Sequence, residues 1–203
     1  MNIIERVKNI LIAPKKEWNV IAAEEQSLPT TLTTYVLPLA LIGAAATLIG
    51  WGLIGKSYSL GFLGTFTVKG WDIGIKYGCI ALASSIAGFF ITTFVVDALA
   101  PSFGAEKNIN KSAQFVAYSA TPSYLGAILA ILPSIALLGS LLGLYGLYLM
   151  YLGIGPMKKA PEDKKVVYLI VSILVLIVTT VVLGMILISV FGLGNAGAGR
   201  FNG

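Results

Sequence analysis

Histidine is missing from this chain, cysteine occurs once (Cys79), and only 11% of the 203 residues are charged. Without histidine, no Ser-His nucleophile pair can form. One cysteine excludes an internal disulfide and, with no histidine beside it, a zinc site built on Cys and His. Only Asp97 falls well within an apolar run, and Asp72 stands at the opposite end of the same run, so no paired carboxylates offer acid–base chemistry. No glycine-rich loop followed by Lys and Ser or Thr is present to cradle a nucleotide phosphate. The expectation is therefore a protein that is not an enzyme and uses no cofactor or metal. A soluble domain carries about 25% charged residues, so a chain this poor in charge needs an apolar solvent.

What fills the chain is hydrophobic sequence, 57% of residues, with a mean hydropathy of +0.87. A bilayer core about 30 Å thick takes about 20 apolar residues of helix. Five stretches qualify: Thr33–Ile54, Ile73–Ala100, Ser112–Leu132, Ser134–Gly153 and Val166–Phe191. The third and fourth are separated by Pro133 and read as a tight hairpin. The predicted fold class is all-α: a polytopic bundle of five transmembrane helices preceded by an amphipathic interfacial helix. The organisation expected is a cytoplasmic N-terminal segment over residues 1–30, a five-helix domain over 31–192, and a glycine-rich, disordered tail over 193–203. The first thirty residues lack the long apolar core of a cleavable signal.

Basic residues orient this bundle. Arg6, Lys8, Lys15, Lys16, Lys107, Lys111, Lys158, Lys159, Lys164 and Lys165 fall on one side, against Lys56, Lys69 and Arg200 on the other, with Lys76 inside the second span. The positive-inside rule then places the N-terminus in the cytoplasm and the C-terminus outside. Scattered between apolar runs, these cations form no nucleic-acid stripe, so nucleic acid is not an expected partner. Ile3, Ile4, Val7, Ile10 and Leu11 recur at helical spacing, the pattern of a helix in the membrane interface. Lys15, Lys16, Trp18, Lys107, Lys111, Lys158, Lys159, Lys164 and Lys165 form the candidate cytoplasmic surface, for anionic lipid, another membrane protein or a second copy of the chain.

Two features lie within the spans. Asp97 is an ionisable group at membrane depth, with Lys107 or Lys111 in reach to neutralise it. Pro122 removes a backbone hydrogen bond from the third span and implies a kink or a local polar contact. With Tyr118, Thr121, Tyr145 and Tyr148 it could line a polar pocket, the basis for a rival reading as a small transporter, channel or lipid translocator. Gly139 and Gly143 in the fourth span, and Ser84 and Gly88 in the second, have the spacing of close helix packing, within the chain or between copies.

Several stretches together resemble one family. They are KNILIAPKKEW (Lys8–Trp18), FGAEKNINKSAQFVAYSATP (Phe103–Pro122) and LYGLYLMYLGIGPMKKAPEDKK (Leu144–Lys165). The chain is similar to the prokaryotic branch of the Yip family, the Ypt-interacting proteins, over about Ile4 to Phe191. That resemblance implies a five-helix membrane domain with a cytoplasmic N-terminus, in a prokaryotic inner membrane. Eukaryotic members are associated with vesicle traffic and small Rab-type GTPases. Here the segment before the first span is short, and the family's Asp-Leu-Tyr-Gly-Pro motif is replaced by Val95, Val96, Asp97, Ala98 and Leu99. Both departures argue against small-GTPase binding. The family implies no catalytic residues, and the leading expectation is a protein acting through lipid or protein contacts at the cytoplasmic face.

Overall fold

Two short helices precede the first long one. Asn2 caps α1 (Ile3–Ile12) by accepting from the Ile4 N–H, and Pro14 starts α2 (Pro14–Ala23), where its missing N–H costs nothing. The computed structural model describes residues 2–59 and 61–190, so the predicted tail and Arg200 lie outside the described residues. Among the described residues, four helices are long and apolar enough to cross a membrane: α3 (Leu28–Ile54), α4 (Trp71–Leu99), α7 (Ala136–Lys158) and α8 (Glu162–Val190). Between α4 and α7 the chain passes through α5 (Ile109–Ser119) and α6 (Thr121–Ala127), the latter continued by a 3-10 turn over Ile128–Ile131.

The third predicted span is thus a helix broken in the middle, and proline chemistry accounts for the break. Pro122 cannot donate to the Tyr118 carbonyl one turn back. The Thr121 hydroxyl donates to that carbonyl instead, at 2.7 Å. Ahead of Pro38 in α3 the ladder is relaxed differently, by a wider turn. There a π turn spans Leu32–Val36, and the hydroxyls of Thr33 and Thr34 donate to the carbonyls of Pro29 and Thr30. In α5 every residue from Ser112 to Ser119 is buried. Enclosed by its neighbours, α5 presents no lipid-facing side and can carry Lys111, Ser112 and Gln114.

Counting α5–α6 as one pass, the passes run alternately between two ends. At one, here the basal end, α1 and α2 pack on α5, α6 and α7, and the stretch after α4 meets the α7–α8 junction, where the Glu106 N–H donates to the Lys158 carbonyl. At the other, the distal end, a two-stranded antiparallel hairpin, β1 (Lys56–Ser59) and β2 (Thr65–Val68), joins α3 to α4, with Tyr58 opposite Phe66. Ten of the basic residues gather at the basal end, with Lys56 and Lys69 at the distal hairpin. Long runs of exposed apolar side chains, such as Leu137, Leu141 and Leu144 on α7 and Leu174, Val178 and Val182 on α8, face outward, as a lipid-solvated bundle requires.

The α6–α7 hairpin crosses where two glycines face each other. A Cβ built on Gly139 would lie 2.2 Å from the Gly126 carbonyl oxygen, and one on Gly126 would lie 2.1 Å from the Gly139 oxygen. The small-residue spacing in the fourth span is therefore used inside the chain. Replacing Gly139 with Leu should force the two backbones apart and cost at least about 1–3 kcal/mol. Gly61→Leu, a control in the distal loop with nothing within 4 Å of its Cβ, carries only the local strain of a positive φ. Thermal unfolding of the two purified variants in detergent checks this: Gly139→Leu should melt well below Gly61→Leu.

Candidate functional site

The basal end holds two buried ionic clusters, and α5 takes part in both. In the first, Arg6 of α1, only 5% exposed, donates to the carboxylates of Glu17 on α2 and Glu24 just beyond it. Its guanidinium also lies 5.2 Å from the ring centroid of Tyr118. Burial disfavours the charge on Arg6, but the Glu24 and Glu17 carboxylates outweigh it and hold its pKa above the ordinary arginine value. Tyr118 in turn donates to Gln26 at 2.8 Å, and Tyr35 and Thr121 share a hydrogen bond of 2.7 Å. The Lys111 ammonium donates to the carbonyls of Ala22 and Glu24, both at 2.7 Å, closing the C-terminus of α2.

Apolar contacts lock the same two helices in place. Trp18 is fully buried against Gly153 of α7, where an added Cβ would lie 2.6 Å from the indole ring, and 5.8 Å from the Phe115 ring. Ile10 and Ile21 are also fully buried, each contributing on the order of 1.5–3 kcal/mol. The Tyr145 hydroxyl donates to the Leu11 carbonyl at 2.8 Å. The apolar face of α1 expected to meet lipid is thus divided. Ile10 turns into the bundle with Ile3, Val7 and Leu11 against it, while Ile4 and Ile12 stay 73% exposed.

In the second cluster, Asp97 near the basal end of α4 accepts from the Ser112 hydroxyl at 2.9 Å and from the Lys158 ammonium at 3.3 Å. Lys158 also donates to the Ser112 oxygen at 2.6 Å and is fully buried. Beside it the Tyr168 hydroxyl donates to the Val96 carbonyl, bringing α8 onto α4. The partner of Asp97 is therefore Lys158; Lys107 is exposed and Lys111 serves α2. Sequence spacing favoured the nearby lysines, whereas helix packing brings together residues 61 positions apart.

The other predicted residues separate. Asp97 belongs to the Lys158 cluster, Tyr118, Thr121 and Pro122 lie buried by the Arg6 cluster, and Tyr145 holds α1. Tyr148 is 45% exposed on the outside of α7, beside Tyr145 with ring centroids 5.6 Å apart. These six do not line one pocket. Trp18 and Lys158 leave the candidate surface because both are fully buried, and Lys111 is half-buried on backbone carbonyls. Lys15, Lys16, Lys107, Lys159 and Lys164 are exposed, and Lys165 is partly so. Lys159 pairs with Glu106 at 2.7 Å and, through that bond, keeps the Glu106 carboxyl below its ordinary pKa. The sequence reading missed Arg6, Glu17 and Glu24 as a unit. Glu17 and Glu24 are seven residues apart, two helical turns, a spacing that could have pointed to one partner.

The Yip1 domain profile matches residues 8–191. The chain belongs to the Yip1 domain family. It is 27% identical over 144 residues to the inner membrane protein YohC of Escherichia coli K12, covering 70% of this chain and 72% of that protein. The YohC of Escherichia coli O6:H1 matches to the same extent. No solved structure matches the chain. The Yip1 match begins at Lys8 inside α1, so it takes in α2 and both ionic clusters except Arg6.

A buried charge stripped of its partner is far costlier than a buried pair replaced as a unit. Asp97→Leu should therefore cost about 3–5 kcal/mol by leaving the Lys158 ammonium uncompensated. The double variant Asp97→Leu/Lys158→Met should recover most of that loss. Unfolding of both proteins in mixed micelles measures the difference.

Proposed function

We propose that this Yip1 domain is a non-enzymatic protein of a prokaryotic inner membrane that acts at the cytoplasmic face by holding anionic lipid headgroups. The observation that carries this reading is a cleft of about 490 Å³ at the basal end, where Lys15 and Asn19 of α2 face Lys159 and Lys165 across the α7–α8 junction. Glu162 is the acidic residue of its lining and Glu106 bonds Lys159 from beside it, so three lysines against two carboxylates leave the cleft with a charge of +1. Lys165 bonds Glu162 at 3.2 Å, and its ammonium lies 5.4 Å from the Tyr151 ring centroid. Exposed pairs of this kind are worth little and can exchange for a phosphate.

The surroundings favour a lipid over a free anion. Tyr148 and Tyr151 on α7 and Val166, Val167 and Ile170 on α8 are exposed next to the lysines. A phosphate in the cleft would leave acyl chains free to run along that apolar surface, with the tyrosines at headgroup level. Ten basic residues at the basal end against two at the distal hairpin support its placement on the cytoplasmic side. The relative YohC is an inner membrane protein, which favours the same membrane here. Translocation of an ion finds less support, because Asp97 is consumed by a buried pair.

Each basic residue near an anionic surface contributes about 1 kcal/mol. Lys15→Gln/Lys159→Gln/Lys165→Gln should accordingly lower phosphatidylglycerol retained through detergent purification by at least about tenfold, read by native mass spectrometry. Lys56→Gln/Lys69→Gln at the distal end should retain it as the parent does. Equal retention by both variants would remove the basis for the lipid reading.

A further inference from the structure

Half-way along the bundle, α4, the α5–α6 break, α7 and α8 surround a cavity of about 330 Å³. Its polar lining is made of hydroxyls: Ser84, Ser85 and Thr92 from α4, Ser119, Ser123 and Tyr124 about the break, and Thr180 from α8, with Tyr124 and Ser85 bonded to each other. No Asp, Glu, Lys or Arg lines it among the described residues. Apolar side chains such as Phe89, Leu147 and Leu176 supply most of the rest. Gly88 lies 11 residues from the basal end of α4, about 16 Å along the axis and so at bilayer depth. Ser123, Leu147 and Thr180 are exposed, which opens the cavity sideways toward lipid.

One side chain at this wall lacks the partner its burial requires. Ser119 is 4% exposed, and its Oγ has no hydrogen-bond partner among the described residues. A hydroxyl buried at this depth costs free energy unless it is bonded. Close packing of the surrounding helices holds the space open: a Cβ on Gly146 would already lie 2.8 Å from the Ser119 carbonyl oxygen. Gly88 differs, because a Cβ there meets nothing within 4 Å and faces the void.

We infer that this cavity binds the head of a neutral amphiphile, a glyceryl-ester-type lipid whose hydroxyl and carbonyl groups bond the serine and threonine side chains. A charged head is disfavoured because the walls offer no counter-ion, and a pure hydrocarbon would leave the Ser119 hydroxyl unpaired. Size agrees. A water-sized group occupies about 30 Å³, so the cavity holds roughly ten such groups, enough for a glyceryl ester head and the start of one acyl chain. The rest of the chain would leave through the lateral opening. This site is separate from the lysine cleft, whose lining includes none of the same residues.

The test is photolabelling of the full chain in phosphatidylcholine liposomes with a monoacylglycerol bearing a diazirine on the first carbons of its acyl chain. Label should concentrate in the peptides containing Ser84–Thr92 and Val116–Tyr124, and unlabelled mono-oleoylglycerol should displace it while oleate and methyl oleate should not. Gly88→Leu starts from a Cβ in open space and extends into the void, and it should cut that labelling at least tenfold while the protein melts no lower than the parent. Ser119→Ala should reduce it about fivefold, the loss expected for one hydrogen bond. The inference is overturned if label spreads equally over the exposed Leu137–Leu144 face of α7, if oleate competes as well as mono-oleoylglycerol, or if a folded Gly88→Leu is labelled as the parent is.

Discussion

The contact between Asp97, Ser112 and Lys158 is the constraint on which the arrangement of the helices rests. Each residue comes from a different helix, α4, α5 and α7, and Tyr168 draws in α8 one residue away at Val96. In an apolar solvent, helices gain little from burying leucine against leucine, because lipid tails solvate leucine as well. Position must come from groups that cannot be left alone. A buried ammonium and a buried carboxylate are such groups: every register other than the observed one leaves a charge unpaired. The apolar surface decides that the chain lies in a membrane, and these polar contacts decide which helix lies against which.

Much of the architecture was legible from hydropathy and charge. The four long helices fall where apolar runs of about 20 residues fall, and the basic residues gather at one end. The third pass was legible as a span, and Pro122 marked the place where it is interrupted. What hydropathy could not show is that α5 is enclosed by protein, which lets a helix carrying Lys111, Ser112 and Gln114 sit among apolar neighbours. The partner of Asp97 was illegible for a related reason. Local spacing pointed to Lys107 and Lys111, and only packing reveals that the final residue of α7 lies against α4. The candidate pocket failed on side-chain direction. Tyr145 and Tyr148 are three apart on α7, yet one reaches inward to Leu11 and the other stays exposed.

The N-terminal helices alter what the family assignment means for this chain. The Arg6 guanidinium, the Trp18 indole and the Lys111 ammonium fasten α1 and α2 to α5 and α7 by three kinds of contact. A segment so fastened is part of the folded domain rather than a free cytoplasmic arm offered to a partner. It also completes the lysine cleft, since Lys15 and Asn19 supply one wall and the α7–α8 junction the other. Loss of the Arg6 cluster would therefore be felt at the cleft without any change in the lysines themselves.

The α5–α6 break connects the two levels of the molecule. On its basal side, Thr121 repairs the backbone next to Pro122 and bonds Tyr35, within reach of the Arg6 cluster. On its other face, Ser119 and Ser123 border the hydroxyl-lined cavity. A straight helix would place a continuous wall against α7 and α8, whereas the break turns polar groups toward both sides. The same proline that interrupts one hydrogen-bond ladder thus supplies the geometry for a polar void inside an apolar bundle. Occupation of that void would bear directly on the helix that holds Ser112 against Asp97 and Lys158. The physical route between the membrane interior and the basal face is one short helix, buried from Ser112 to Ser119.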